Sequence, residues 1–319
     1  MQTFVSLLYP ISILGIYILL GYIVRKKDIV NQNAKSLLST LGTNLFLPAQ
    51  TLLVFVEMLQ GIDSIIESAP VLLWGCICLV LSLVLACFLP LFFSKEKYER
   101  NLFKYGIVFT NFGFFGNALI PKLFNMEIYF YYTIFQIPFM FVLYSWGTSL
   151  LIPDEYFIDE SNKGIKKIAN QAFKTLRQPA FLSMIIGTII GLVGITLPDI
   201  FMQALTGCSN CMAPCAMLVT GFVIAEFPFK SIIGVKKVYP FALLRLVVIP
   251  VSFCLIAKMF GADRITQTVV LAFSALPQGL YTIIYPAMYG KDIKLGASMT
   301  VVSCVLSLIT LPLLFTLLM

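Results

Sequence analysis

The sequence predicts an all-α polytopic membrane protein of ten transmembrane helices, and three observations carry that reading. The 319 residues are 59% hydrophobic and only 12% charged, with mean hydropathy +0.94, whereas a soluble domain is about a quarter charged. The apolar excess recurs in blocks of roughly 20 residues, each long enough to cross a ~30 Å hydrocarbon core as a helix. Basic residues gather in alternate loops between those blocks.

In chain order the blocks cover about 4–24, 36–57, 70–93, 103–123, 128–151, 179–198, 209–226, 238–260, 266–288 and 294–318. The first, Phe4 to Val24, lacks a basic leader and a small-residue cleavage site, so it is expected to be a span rather than a signal peptide. One set of loops holds Arg25, Lys26, Lys27 and Lys35, then Lys95, Lys97, Arg100 and Lys104. The same set continues with Lys163, Lys166, Lys167, Lys174 and Arg177, then Lys230, Lys236 and Lys237, and finally Lys291 and Lys294. These are 18 of the 22 basic residues; the opposite set has only Lys122, Lys258 and Arg264, and Arg245 falls within a span. The basic set is therefore expected in the cytoplasm, with both termini extracytoplasmic, in the cell inner (plasma) membrane. The net charge of +7 reads as topology, and no nucleic-acid partner is expected.

The halves echo one another. Leu47-Pro48-Ala49 follows Thr43 and Asn44 in the second span, and Ala213-Pro214-Cys215 follows Ser209 and Asn210 in the seventh. The fourth span carries TNFGFFGNALIP and the ninth SALPQGLYTIIYP, each a Gly- and amide-bearing stretch with a proline beyond. Five spans per half force the second half to run with opposite topology. The expected organisation is a first five-helix repeat over 1–152, a cytoplasmic linker over 153–178 and an inverted repeat over 179–319. Interrupted helices at matching places in inverted repeats point to a secondary transporter's site.

The fourth and ninth spans supply the candidate residues. Gly113 and Gly116 each weaken a helix by about 1 kcal/mol relative to Ala, and Asn111 and Asn117 bring amides that need partners in a low dielectric. Broken backbone at membrane depth is tolerated only inside protein or along a wet cavity, and it frees N–H groups at a half-helix start to face an anion. The alternative for the glycines is a small-residue packing face. Pro277 removes a helix hydrogen bond, and Gln278 beside it can both donate and accept. Arg245, about seven residues inside the eighth span, either snorkels to the interface or attracts an anion; Lys122 lies near the outer face, where it could meet substrate. No Asp or Glu falls near a midplane, and histidine is absent, which removes the usual proton shuttle. Cys208, Cys211 and Cys215, at the start of the seventh span, lack a fourth metal ligand; an extracytoplasmic disulfide or a plain small-residue helix start are the other readings. Without a phosphate-binding loop or hydrolase motif, enzyme chemistry and a cofactor are not expected.

These stretches together resemble the auxin efflux carrier family, which includes bacterial malonate and malate permeases. Asn111-Phe-Gly113-Phe-Phe-Gly116 is similar to its N-x-G-F-x-G stretch, and Ala275-Leu-Pro277-Gln278-Gly279 to the A-L-P-Q-G of plant members. Phe135-Gln136-Ile137, Leu47-Pro48-Ala49 through Thr51, Thr220-Gly221-Phe222 and Arg245-Leu-Val-Val-Ile-Pro250 match in order. Ala118 and Thr282 stand where the family often has proline, with Pro121 and Pro286 coming later. The resemblance implies ten spans as two inverted five-helix repeats, with a scaffold part and a transport part, and with broken fourth and ninth helices that cross. It implies a small organic anion as substrate at the crossing, contacted by Asn111, Gln136, Gln278 and Thr51. Transport would proceed by an elevator-like or rocking movement in the lipid bilayer. Coupling to H⁺ or Na⁺, uniport, and a homodimer are all left open, as are a Na⁺-coupled carrier of the bile-acid type and a non-transporting receptor.

Overall fold

A computed structural model describes residues 2–152 and 175–319, so most of the predicted linker, including Lys163, Lys166, Lys167 and Lys174, lies outside the described residues. Every regular element among them is helical. Among the described residues, seven helical stretches are long and apolar enough to cross a membrane: Leu7–Lys26, Asn33–Met58, Ile62–Phe92, Met126–Leu151, Asp199–Ala225, Val238–Met259 and Lys294–Leu318. The three remaining predicted spans fall short for identifiable reasons. The fourth is divided into Lys97–Val108 and a later segment, the ninth into Arg264–Ser274 and Tyr281–Met288. The sixth is the 15-residue apolar helix Pro179–Val193, stopped by Gly194 in a left-handed conformation with φ 72°.

The chain folds as two units, each drawing on both halves of the sequence: 1–71, 113–134 and 176–227 form one, and 72–112, 135–175 and 228–319 the other. In the first unit, helix Gln2–Lys26 packs along Met212–Ala225. A Cβ on Gly21 would overlap the Leu218 carbonyl, and one on Gly221 the Ile18 carbonyl. The two backbones touch because neither position carries a side chain, the usual way apolar helices gain contact in lipid. Helix Leu47–Met58 packs on Pro179–Val193 in the same manner, since a Cβ on Gly187 would come within 2.7 Å of the Phe55 Cβ. The Asp199–Asn210 helix turns at Cys211 into Met212–Ala225, so the three-cysteine stretch expected to start a span lies inside one. All eight thiols are free.

Proline is accommodated by a repeated device. A π-helical turn, Gly42–Phe46, directly precedes Leu47–Met58 with its Pro48. In the second unit the π-turn Leu244–Val248 precedes Ile249–Met259 with its Pro250. A proline ring clashes with the carbonyl four residues back, and here that carbonyl belongs to a turn widened by one residue. The Arg264–Ser274 helix is capped by Asp263, whose carboxylate accepts from the Thr266 amide at 2.7 Å and from its hydroxyl at 2.7 Å.

Polar contacts tie helix ends within each unit. In the first, Lys35 pairs with Glu226 at 2.8 Å and Lys122 donates to Asn210 at 3.2 Å. In the second, Lys237 pairs with Glu99, the Tyr98 hydroxyl donates to the Asp292 carbonyl at 2.8 Å, and Lys258 donates to the Leu318 carbonyl.

Candidate functional site

Within the second unit the two divided helices meet at their breaks. The Lys97–Val108 helix ends at an extended Phe109, and the chain bends at Asn111; Arg264–Ser274 ends, and 275–280 are irregular before Tyr281 restarts the helix. The Asn111 N–H donates to the Pro277 carbonyl at 2.8 Å, and Thr110 and Gln278 form an isolated antiparallel bridge. Pro277 brings no N–H of its own, so its carbonyl is the group it offers to a neighbour. Asn111, Pro277 and Gln278, three of the candidate residues, are thus brought together. The interruption sits earlier than the glycines suggested. Gly113 and Gly116 lie in the π-turn Phe112–Gly116 that follows it.

Hydroxyls of the last helix, Lys294–Leu318, hold the ninth-span break. Ser303 accepts from the Gln278 amide N–H at 3.0 Å. Thr300 donates to the Gly279 carbonyl at 3.3 Å and lies 3.1 Å from the Thr282 hydroxyl. A Cβ on Gly296 would overlap the Thr282 carbonyl, so glycine there lets the last helix come against the restart. These anchors were missed from sequence, although Gly296, Thr300, Ser303 and Ser307 recur at the 4-3-4 spacing of one helix face. Thr282, which stands where the resemblance led one to expect proline, is one of the groups bonded at the break.

The Gln278 side chain is the most exceptional group here. It is fully buried, and neither Nε2 nor Oε1 has a hydrogen-bond partner. It lies against the Lys97–Val108 helix, where a Cβ on Gly106 would sit 2.5 Å from its Oε1. An unmade buried hydrogen bond costs about 1–3 kcal/mol per group. Gln136, at the junction of helices Met126–Phe135 and Ile137–Val142, also buries an unpartnered Oε1, and so does Thr110 its Oγ1.

Arg245 does not snorkel. It is 2% exposed, and its Nη1 donates to the carbonyl of Ser274, the last residue before the ninth-span break, at 2.6 Å. A cation there complements the negative end of the Arg264–Ser274 helix. Its Nε–H is unpartnered, and no ion pair neutralises it among the described residues. It lines a small cavity of about 10 Å³ with Thr110, Ser82, Phe135, Phe139, Phe273 and Ser274 among others.

The remaining predicted residues fall in the first unit. Gly113 has nothing within 4 Å of where a Cβ would be, so packing does not demand glycine there. Asn117 is engaged on both sides of its amide: Nδ2 donates to the Gly113 carbonyl at 3.1 Å, and Oδ1 accepts from the Tyr129 hydroxyl at 3.2 Å. Thr51 turns its hydroxyl back to the Leu47 carbonyl at 2.9 Å, and Lys122 holds Asn210.

Apolar spanning helices, together with two interrupted ones that meet beside the buried, unpartnered Gln278 carboxamide, define a polytopic membrane protein built around a polar crossing. Such a crossing suits a transporter. The family described as membrane transport protein matches residues 7–315, nearly the whole sequence. The chain belongs to that family, the one of the auxin efflux carriers. Comparison with curated proteins finds no match.

Proposed function

We propose that this transporter is a secondary carrier of a small organic anion and that the crossing of Thr110–Asn111 with Pro277–Gln278 is its substrate site. The observation that carries the reading is the Gln278 carboxamide, buried with both polar atoms unpartnered beside two breaks that share a backbone hydrogen bond. A substrate carboxylate would accept from Nε2, aided by the N-terminal end of Tyr281–Met288. Asn111 would add a second contact and Gln136 would line the path in the second unit; Thr51, Gly113, Gly116 and Asn117 are kept as candidate substrate contacts of the first unit. Pro277 would hold the break open; Arg245 and Lys122 would bias the route toward anions.

Ten spans as two inverted repeats remain the arrangement we favour. The pairs Lys35–Glu226, Lys237–Glu99 and Tyr98–Asp292 each join residues of the basic-rich predicted side, and Lys122–Asn210 and Lys258–Leu318 join residues of the other. That consistency supports the alternation, with both termini extracytoplasmic in the cell membrane.

The test is charge movement from proteoliposomes on a solid-supported membrane. The panel is malonate, malate, succinate, 2-oxo acids and indole acetate, each with and without Na⁺ or a pH step. A saturable current from one acid, lost in Asn111→Ala/Gln278→Ala, is expected. A current that survives the double substitution would show that the crossing is not the site. A response that requires Na⁺ would make the carrier a symporter.

A further inference from the structure

An open cavity of about 650 Å³ lies at the C-terminal end of the first helix, wholly within the first unit. A turn builds it. Asp28 takes a left-handed conformation with φ 50°, which Asp adopts more readily than most residues. The Ile29 N–H then returns to the Val24 carbonyl at 3.1 Å, and Gln32, Asn33 and Lys35 border the same cavity as Arg25 and Lys26. The volume is that of a small-ligand cleft, about 300–1,000 Å³, but such clefts are lined mostly by apolar and aromatic side chains. Here every lining residue except Ala225 is polar or charged.

Three cations line the cavity against two carboxylates. Glu226 is held by Lys35 at 2.8 Å. Asp28, its side chain 85% exposed, pairs with Arg25 at 2.9 Å, a surface contact worth little. Lys26 is exposed, and no ion pair holds it among the described residues. Arg25 and Lys26 also complement the negative end of their own helix, which accounts for two cations there but not for a cavity around them.

The surface that adjoins the cavity decides the ligand. Ile16, Leu19, Leu20 and Ile23 are 36–56% exposed on a helix long and apolar enough to cross a membrane, where acyl chains cover them. Leu19, Ile23 and Lys26 follow the i, i+4, i+7 spacing of one helix face. A lipid-facing stripe therefore runs directly to a lysine on the cavity rim. A free phosphate would meet the cations and leave the stripe unused, whereas a lipid phosphate meets both. We propose that this cavity holds the head group of an anionic phospholipid, its phosphate on Lys26 and Arg25 and its acyl chains along Leu19 and Ile23. Gln32 and Asn33 supply carboxamides for the rest of the head group. The surplus positive charge favours an anionic over a zwitterionic lipid, as in basic pockets at the ends of membrane helices. The proposal goes beyond the transport reading and does not depend on it.

The experiment is a lipid titration of the purified full-length protein in detergent micelles, using phosphatidylglycerol or phosphatidylcholine with the same acyl chains. Unfolding is followed by a maleimide dye that reacts as the buried thiols Cys78, Cys254 and Cys304 become accessible. A ligand bound only by the folded state raises the midpoint with its concentration. Phosphatidylglycerol is expected to raise it by a few degrees and to saturate, while phosphatidylcholine does little. In Arg25→Gln/Lys26→Gln the half-saturating fraction of phosphatidylglycerol should rise about fivefold for each charge removed. Lys95→Gln/Lys236→Gln, which removes two exposed charges from the second unit, should keep the wild-type value. If the first variant does not fold, Lys26→Gln decides alone. An equal response to both lipids would overturn the proposal, as would a response unchanged by the cavity substitutions. An equal loss in the two double variants would mean diffuse surface charge and overturn it as well. Glycerol phosphate without acyl chains is the last arm: if it reproduces the saturable rise, the cavity takes a soluble phosphate and the lipid assignment fails.

Discussion

Replacing Gln278 with methionine separates a structural role from a functional one. The side chain is fully buried and both its polar atoms lack partners, so the ligand-free protein bears two unmade hydrogen bonds at ~1–3 kcal/mol each. Internal water recovers part of that. Methionine nearly matches glutamine in length and bulk and removes both polar atoms, and its flexible thioether fits an irregular site. The backbone bond from the Gln278 N–H to Ser303 does not depend on the side chain. We therefore expect Gln278→Met to stabilise the empty protein by about 1–3 kcal/mol net of strain and trapped water, while abolishing anion-dependent current. In a thermal unfolding scan that is a rise of a few degrees, since roughly 2–4 °C accompanies each kcal/mol in domains of 150–250 residues and somewhat less in longer chains. The assay pairs the midpoint without substrate with charge movement from proteoliposomes of the same preparation. A variant that loses stability and still transports would refute the reasoning, because the amide would then be a satisfied structural group.

Four further outcomes follow from the geometry. Gly296→Ala drives a methyl into the Thr282 carbonyl and should cost about 1–3 kcal/mol or prevent folding, visible as lost monodispersity on size exclusion. Gly113→Ala meets nothing within 4 Å, so the midpoint should hold or rise by less than about 1 kcal/mol in equivalent stability, while the substrate concentration at half-maximal current rises. Asp263→Ala removes the cap on Arg264–Ser274 and should cost about 0.5–2 kcal/mol in the same unfolding scan. At Glu99, burial pushes the carboxyl up, but hydrogen bonds from Lys237 and Ser94 outweigh it and hold it below its ordinary value of 4.5. A carboxylate lowered on folding contributes stability that is present above its unfolded value and lost as pH falls through the folded one. The midpoints of wild type and Lys237→Ala should thus differ at neutral pH and converge as pH falls below 4.5 and through the lowered folded-state value, read by scans across a pH series.

Much of this was legible in the sequence because lipid imposes simple rules. A helix spanning hydrocarbon needs about 20 apolar residues, so the continuous spans declare themselves, and the clustered Gly, Asn, Pro and Gln marked both breaks. The position of the first break was less legible. Glycine signals where a helix is weak, but the chain leaves helix at Thr110 and Asn111, where the bridge to Gln278 and the bond to Pro277 give the backbone other partners. Only the folded chain reveals those partners. The anchors Thr300 and Ser303 were hidden because Ser and Thr in membrane helices mostly bond to their own backbone, as Thr51 does. Arg245 was ambiguous for a related reason. Reaching water and reaching the Ser274 carbonyl are both open to a long side chain until the neighbouring helix is placed.

The bond from Asn111 to Pro277 also sets a condition on how the protein is made. The donor leaves the ribosome about 165 residues before its acceptor, on the order of ten seconds or more at ~5–20 residues per second. During that interval the first interruption sits in the translocon or bilayer with a backbone amide whose final partner does not yet exist, a costly arrangement in hydrocarbon. Completion of the fourth segment thus waits on the ninth. A chain truncated after its first half should be retained by insertion factors or degraded, and co-expression of the missing half should rescue it.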